Sequence, residues 1–392
     1  MEPAAELSDE RLVFYSKIAF YPIHWEAFKY LVSHFRIRST VIADAPPDLP
    51  TVHQQLGWIE SRTVFQEDPS LEIRFMPEAS LTIKARWLHQ QLQALRPDAI
   101  WVQEEPTDYF LLQILRMYLF DRRPRIVSAV CENIFSRGSP PVWLARRLLW
   151  SRLDGLLAVA TPSLEGIRAA GMPSRVPGTT LVAGALLPPD HVEPLPLPFT
   201  RTAEDFVTGF AGRICEEKGW KVLLSALLSL PISYKCLIAG DGPQLAELLS
   251  WIGKEALQGR VFYVGLLPKD VLWRFYFALD CLVVPSLTFP KWKEQFGGVL
   301  ADGMAMGLPL VGSDSGAIPE VVGPAGLIVP ENDPDALAAA IKRIRQDPSL
   351  RHELGEAGRQ RFWTEFAIPA YGRKIAQALH LLRRKGNADM LR

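Results

Sequence analysis

The sequence predicts an α/β protein of two domains, each a parallel sheet wrapped by helices. Three observations carry that prediction. At 392 residues the chain exceeds what one hydrophobic core usually serves. Short apolar runs alternate with amphipathic stretches along its length, the strand, turn, helix order that builds a parallel sheet. Between the halves lies "LLPPDHVEPLPLPFTRT", residues 186–202, where Pro188, Pro189, Pro194, Pro196 and Pro198 make a stiff, extended spacer unsuited to a helix or an inner strand. The expected organisation is a first domain over residues 1–190, a proline-rich hinge over 186–202 and a second domain over 203–365.

In the first half, "LVFYSKIAF", "AIWVQ", "PRIVSAV" and "GLLAVA" read as strands, and "SLTIKARWLHQQLQAL" has helical periodicity. "TPSLEGIRAAG" reads as a helix capped by Thr161, with Pro162 at its first position and Gly171 as its stop. The second half repeats the pattern. "DFVTGFAG" precedes a helix from about Gly219, "YKCLIAG" precedes "DGPQLAELLSWIG", and "VFYVG" precedes "PKDVLWRFYFA". "CLVVPS" leads through a loop to a helix from about Val299 to Met306, ended by Gly307 and Pro309, and "LPLVGS" leads to "GAIPEVV". No short-period repeat appears, so the halves share a fold type and do not form a solenoid. From residue 333 the chain reads as helical. There Asp333 is a natural N-cap, Pro334 a first helical residue and Asp335 a complement to the helix dipole, a better reading of this Asp-x-Asp than a metal pair.

Composition narrows the functional classes. The apolar fraction of 48% and charged fraction of 22% are those of a soluble globular protein. Forty-three basic residues balance 43 acidic ones, so no global field gathers nucleic acid, and no nucleic-acid partner is expected. Cys131, Cys215, Cys236 and Cys281 are scattered, which indicates neither a disulfide framework nor a zinc site. The opening "MEPAAELSDE" lacks the features of a secretory signal, and no apolar run approaches the ~18 residues of a membrane span. A cytoplasmic setting is expected. "PPVWLARRLLWSRLDG" places Trp143, Arg146, Arg147, Trp150 and Arg152 on a short helix, which has two readings. One is peripheral contact with anionic lipid on the inner face of the membrane. The other is a buried Trp and Leu face with a solvated basic edge.

Two stretches carry chemistry. In "GFAGRICEEKGW", residues 209–220, Gly212 lets the backbone turn after a strand, and Arg213 and Lys218 flank the start of a helix. Two cations beside exposed helix amides suit a phosphate or diphosphate, unless Glu216 and Glu217 simply neutralise them. In "EQFGGVLADGMAMGLPLVGSDSGAIPE", residues 294–320, Gly297 and Gly298 let a ligand approach their amides at a helix start. Glu294 before them accepts hydrogen bonds from hydroxyls, and Asp302, eight residues on, reaches another part of the same ligand. The bland reading makes both acids helix-start charges, and it accounts poorly for the glycine pair.

Taken together, "GFAGRICEEKG", "LIAGDGPQL", "VFYVGLLPKDVLWRFYFALDCLVVPS", "KEQFGGVLADGMAMGLPLVGSDSGAIPEVV" and "GLIVPENDPDALAAAI" resemble, in order and spacing, the donor half of family 4 glycosyltransferases. The resemblance covers about residues 205–345 and weakens before residue 190. It implies the GT-B architecture, two Rossmann-like domains facing a cleft, with the last helix, about 368–385, crossing back onto the first domain. It implies a retaining transfer from a nucleotide-diphosphate sugar to a glycan or lipid-linked acceptor, with no metal and no cofactor beyond that substrate. By the same likeness Arg213 and Lys218 grip the donor diphosphate and Glu294 faces the transferred sugar. Gly212, Gly242, Gln295, Phe296, Gly297 and Gly298 surround the donor, Leu266 and Leu267 lie against the base, and Asp302 stands where the family's second Glu holds the ribose.

Some positions depart from the family. "AFYPIHWEAFKY" has no glycine pair after the first strand, and Asp302 is one methylene shorter than Glu. Where many relatives place a His near the reacting carbon, "SAVCENIFSRGSP" offers Glu132 and Asn133, which orient acceptor or sugar or else act as local caps. His24 is either a residue aimed at the cleft or a satisfied histidine beside Trp25. Among rival readings, a nicotinamide oxidoreductase fails because "GDGPQL" has Leu245 where a third glycine belongs. A nucleotide-sugar epimerase of related fold and a noncatalytic nucleotide-sugar-binding protein remain.

Overall fold

The computed structural model describes residues 11–16, 23, 26, 27, 29–31, 38–43, 71–121, 123–180 and 184–384. Among these the chain divides into two compact units. One runs to Gly184 and also takes the helix that starts at Ile368; the other runs Ala185–Ala367.

The first unit holds β1 Arg11–Ser16, β2 Arg38–Ala43, β3 Leu71–Phe75, α1 Leu81–Leu95, β4 Ala99–Val102, α2 Tyr109–Met117, β5 Arg125–Val130, α3 Pro140–Trp150, β6 Gly155–Ala158, α4 Thr161–Ala169 and β7 Gly178–Thr180. Its seven strands are ordered β3-β2-β1-β4-β5-β6-β7, and every pair is parallel. A parallel sheet is covered on both faces, so its strands are continuously apolar. Strand β1 shows the consequence: Val13 and Tyr15 pack with Ile100 and Phe110 on one face, while Leu12 and Phe14 pack with Trp101 on the other. That second face is closed by Tyr371 and Ile375 of the returning helix. Each such fully buried side chain contributes roughly 2 kcal/mol.

The second unit holds β8 Phe206–Ala211, α5 Trp220–Leu228, β9 Tyr234–Ala239, α6 Leu245–Ile252, β10 Val261–Gly265, α7 Lys269–Phe277, β11 Cys281–Val284, α8 Gly298–Ala305, β12 Leu310–Ser313, α9 Ile318–Val322, β13 Gly326–Val329, α10 Pro334–Gln346 and α11 Pro348–Arg361. A π-helical turn, Phe362–Phe366, precedes α12 Ile368–Arg384, which belongs to the first unit. The six strands are ordered β10-β9-β8-β11-β12-β13, again all parallel. The α/β class with two parallel sheets is thus observed.

Several local readings are refined. Helix α4 begins at Thr161, so Ala160 and not Thr161 is the capping residue. Asp333 does cap α10, its carboxylate accepting from Ala336 N at 2.9 Å. The proline-rich stretch is irregular, as residues without N–H donors require, and it lies along the second unit. Leu195 N donates to Arg274 O at 3.2 Å, and the Phe199 ring stacks on Phe262 at 4.9 Å.

In both sheets the order reverses once, between β1 and β4 and between β8 and β11. At such a reversal the loops leaving adjacent strands diverge to opposite faces and open a crevice at the carboxyl ends of the strands. The elements therefore single out two loop clusters before any side chain is considered.

Candidate functional site

In the second unit, the loop after β8 carries Gly212, Arg213 and Lys218, and the loop after β11 carries Ser286 to Gly297. Gly219 locks them together. It sits at φ 68° as the N-cap of α5, and a Cβ there would lie 1.8 Å from Pro285 O, so only glycine permits this approach. Lys218, just before it, donates from Nζ to Glu294 Oε2 at 2.7 Å, and the same oxygen accepts from Ser286 Oγ at 2.7 Å. Glu294 is 5% exposed, and the ring of Trp292 lies 4.9 Å from the Lys218 ammonium. The buried carboxylate is thus fixed by a cation and a hydroxyl from two different loops.

Arg213 is on the same loop but makes a separate contact. Its side chain is more than half exposed, with NH2 3.2 Å from Glu217 Oε1 and Nε donating to Cys215 Sγ at 3.2 Å. The Cys215 hydrogen bond, then the nearby thiol and carboxylate charges, push its pKa up. Neutralisation by Glu217 therefore coexists with the placement of Arg213 at the sheet end.

Gly297 adopts φ 70° as the N-cap of α8, while beside Gly298 the space that a side chain would fill is open. Gln295 is half-buried, and the Phe296 ring packs 5.8 Å from Phe366. Helix α8 buries Leu300, Ala301 and Met304, which turns Asp302 toward α7. There Asp302 Oδ2 meets Lys269 Nζ at 2.6 Å and accepts from Tyr276 OH at 3.2 Å. Gly242 donates to Asp241 Oδ1 in the loop after β9, and that loop is tied to the first by Ile214 N donating to Asp241 O at 2.8 Å. Leu266 and Leu267, half-buried, follow β10. All the donor-side residues named from sequence thus belong to loops and helix starts after β8, β9, β10 and β11, at the carboxyl end of one sheet. Sequence reading missed Ser286, Lys269, Tyr276 and Trp292. Ser286 closing "CLVVPS" and Lys269 opening a helix were the only signals for them.

The first unit offers a different cluster. Glu105, in the loop after β4, accepts from Cys131 N at 2.8 Å and from Glu132 N at 2.9 Å through Oε1. Its Oε2 is buried, with no hydrogen-bond partner among the described residues. Burial raises its pKa to about 7 against the pull of both amides. Glu132 itself is exposed, and Asn133 is buried, its Oδ1 accepting from Ser163 Oγ at 2.6 Å. Asn133 thereby ties the loop after β5 to α4, as a local structural contact. His24 lies outside the described residues. Glu105 was not singled out from sequence because nothing in "AIWVQEEP" tells which of two adjacent acids turns inward.

Of the two readings of the Trp and Arg helix, the buried one holds for Trp150, while Arg152 departs from both. Trp150 is buried, donating from Nε1 to Pro106 O at 2.7 Å. Arg152 is 1% exposed, its guanidinium donating to Tyr118 O and Asp154 Oδ2, both at 2.7 Å. Neither can face lipid, because each satisfies carbonyls that the fold would otherwise leave unpaired. Trp143 donates to Ala170 O at 3.1 Å, while Val142, Leu144 and Leu148 are exposed on α3 beside Arg147. Among the described residues no helix is long and apolar enough to cross a membrane.

Comparison with known proteins places this geometry in context. Residues 198–361 match the family described as Glycosyl transferases group 1, and they include every donor-side residue above. The 2-deoxystreptamine glucosyltransferase of Streptomyces kanamyceticus is 30% identical over 193 residues, 46% of this chain and 49% of that protein. The chain thus spans about half the length of that relative. The O-antigen chain mannosyltransferase B of Escherichia coli is 29% identical over 297 residues, 71% of this chain and 75% of its own. Among solved structures, Anabaena HepE in complex with UDP superposes with a TM-score of 0.69 at 17% identity, covering 95% of this chain and 99% of that one. The fold is that of the GT-B glycosyltransferases.

Proposed function

We propose that the protein transfers a sugar from a nucleotide-diphosphate donor to a hydroxyl of a glycan or lipid-linked acceptor, with retention of configuration, as a family 4 enzyme. Envelope polysaccharide or glycoconjugate synthesis is the setting the similarity to an O-antigen mannosyltransferase supports. The observation that carries the reading is the Lys218–Glu294 contact at the reversal of the second sheet, within the segment that matches the glycosyltransferase family.

The chemistry follows from the charges. In such a transfer the sugar acquires oxocarbenium character while negative charge grows on the departing diphosphate. Groups that interact more strongly as that charge grows lower the barrier. Lys218 is held at the sheet end by Glu294 and Trp292, so its ammonium is oriented before a donor arrives. Arg213 leaves Glu217 for the diphosphate, a small cost because that ion pair is solvated. The amides at the start of α8 add the positive end of a helix dipole. In this reading these groups carry the leaving-group charge in place of a divalent ion. Glu294, once Lys218 turns to phosphate, keeps Ser286 as donor and accepts from sugar hydroxyls.

In the first unit, the proposed acceptor side is the loop cluster after β4 and β5, with Glu132 exposed and Glu105 beneath it. Peripheral contact with an anionic membrane, if the acceptor is lipid-linked, falls to Val142, Leu144 and Leu148 with Arg146 and Arg147. Transfer is favoured over epimerisation because the similar proteins of known activity named above are transferases. The test is a thermal-shift panel of UDP-, GDP-, ADP- and TDP-sugars, followed by transfer assays with the stabilising donor. A donor that raises the melting temperature and yields glycosylated product is expected. Isomerised sugar without acceptor indicates the epimerase, and binding without turnover indicates the noncatalytic protein.

A further inference from the structure

We propose that Glu105 is a proton-operated clasp on the loop of residues 131–133, which it holds closed while its carboxyl group is neutral and loosens when that group ionises. The clasp belongs to the first unit alone. Its consequence, that pH changes how the acceptor is met, rests on the reading above that this loop lies on the acceptor side.

The loop has two anchors. On one side it rests on α4, where Ser163 Oγ lies 3.1 Å from Cys131 O and 2.6 Å from Asn133 Oδ1, within reach of donating to either. Gly166 of the same helix comes so near that a Cβ there would lie 2.3 Å from Asn133 O. On the other side Glu105 Oε1 accepts from the amides of Cys131 and Glu132 at 2.8 and 2.9 Å. Glu105 is itself firmly placed. Its carbonyl accepts from Asp108 N at 2.8 Å, Asp108 caps α2 by accepting from Phe110 N at 2.8 Å, and the next carbonyl, Pro106 O, takes the Trp150 indole N–H at 2.7 Å. When the carboxyl group changes state, the loop therefore yields before the connection from β4 to α2 does.

The second oxygen decides how the clasp responds to a proton. Oε2 is buried, with no hydrogen-bond partner among the described residues. A neutral acid tolerates such a place, since Oε1 still accepts both amides as a carbonyl oxygen. An ionised one leaves half of its charge desolvated and unpaired. No base offsets that cost among the described residues that act on it: Glu104 on its own loop and Glu132 on the facing loop are acids, and both oppose ionisation. Burial pushes the Cys131 thiol and the Tyr371 hydroxyl near it upward, so both stay neutral. Burial likewise lifts the Glu105 pKa from 4.5 to about 7. A loop opened to solvent returns the acid toward its ordinary value, so closure retains a proton that the open form releases. The preference for closure is fully present below pH 4.5 and is lost as pH rises through about 7.

The test is hydrogen exchange of the full chain from pH 5 to 8, corrected for intrinsic rates and read by mass spectrometry on a peptide containing Cys131 and Glu132. The reference is a peptide containing Leu287, whose amide donates to Glu217 O in the second unit. Wild-type protection of the first peptide is expected to fall on the order of fiftyfold across this range and to level off above pH 7, while the reference stays flat. Glu105→Gln keeps an accepting oxygen without a charge, so its protection should stay near the wild-type value at pH 5 throughout. Ser163→Ala weakens the other anchor, so it should lower protection at every pH and keep the slope. A flat wild-type profile, or a slope that survives in Glu105→Gln, overturns the proposal. These readouts need no nucleotide, so failure of every nucleotide sugar to bind would remove the acceptor reading while the exchange profiles still decide the clasp.

Discussion

The two sheet ends solve the problem of burying acids in opposite ways. At the second sheet, Glu294 and Asp302 are 5% and 6% exposed, and each meets a lysine and a hydroxyl. At the first, Glu105 has two amides on one oxygen, no partner among the described residues on the other, and a pKa raised to about 7 by burial. Paired acids hold cations in fixed positions, which suits a site that must meet a diphosphate. An acid left to burial becomes protonated near neutrality and holds a loop through its amides instead. The difference is one of preorganised charge against preorganised backbone.

Breaking the charged end should have the largest effect. Lys218→Ala is expected to cut sugar transfer about a hundredfold or more while the protein stays folded, with some loss of stability because buried Glu294 loses its cation. Glu294→Gln should cost a comparable factor in kcat. Wild-type turnover by either purified variant would break the comparison on its more definite side.

The neutral end is sharpened by pH. Folded Glu105 keeps its proton up to about pH 7, whereas in the unfolded chain it releases it near 4.5. The folded state therefore binds more protons between those values, and stability falls as pH rises through that window. The expected loss is on the order of 3 kcal/mol, complete once pH has risen through the folded pKa of about 7. Glu105→Gln should flatten this dependence in denaturant titrations from pH 4.5 to 8. A variant with the slope of wild type would show that the acid is not the source.

Smaller effects separate residues within each end. Arg213→Ala should reduce transfer about tenfold, less than Lys218→Ala, because an exposed guanidinium already paired with Glu217 contributes less than a half-buried ammonium. Equal losses would mean that the two cations share the diphosphate evenly. Leu144→Ser together with Leu148→Ser should reduce sedimentation with anionic liposomes severalfold without altering stability. No pelleting of wild type on such liposomes would remove membrane contact altogether.

Much of the second unit was legible in the sequence because its strands are apolar runs bounded by glycine, as in "YKCLIAG" and "VFYVG", and its acids stand beside glycines whose presence a core does not require. Strand β7 has only three residues, and β13, "GLIV", is too short for its period to separate strand from helix. The partners were less legible than the acids. Lys269 reads as an ordinary first-turn residue, and only the packing of α8 against α7 brings it to Asp302. Composition left Trp150 open between a lipid-facing and a buried reading and put Arg152 on a charged edge, because the carbonyls they meet, Pro106 O and Tyr118 O, are distant in sequence. Hydrogen bonds between remote segments leave no local trace.

The central claim is that Lys218, held by Glu294, binds the diphosphate of a sugar donor. Isothermal titration of wild type and Lys218→Met with UDP, GDP and ADP tests it most directly. The account predicts that at least one of these binds wild type and that the substitution weakens it on the order of thirtyfold or more. Equal affinity of both proteins for that nucleotide would contradict it.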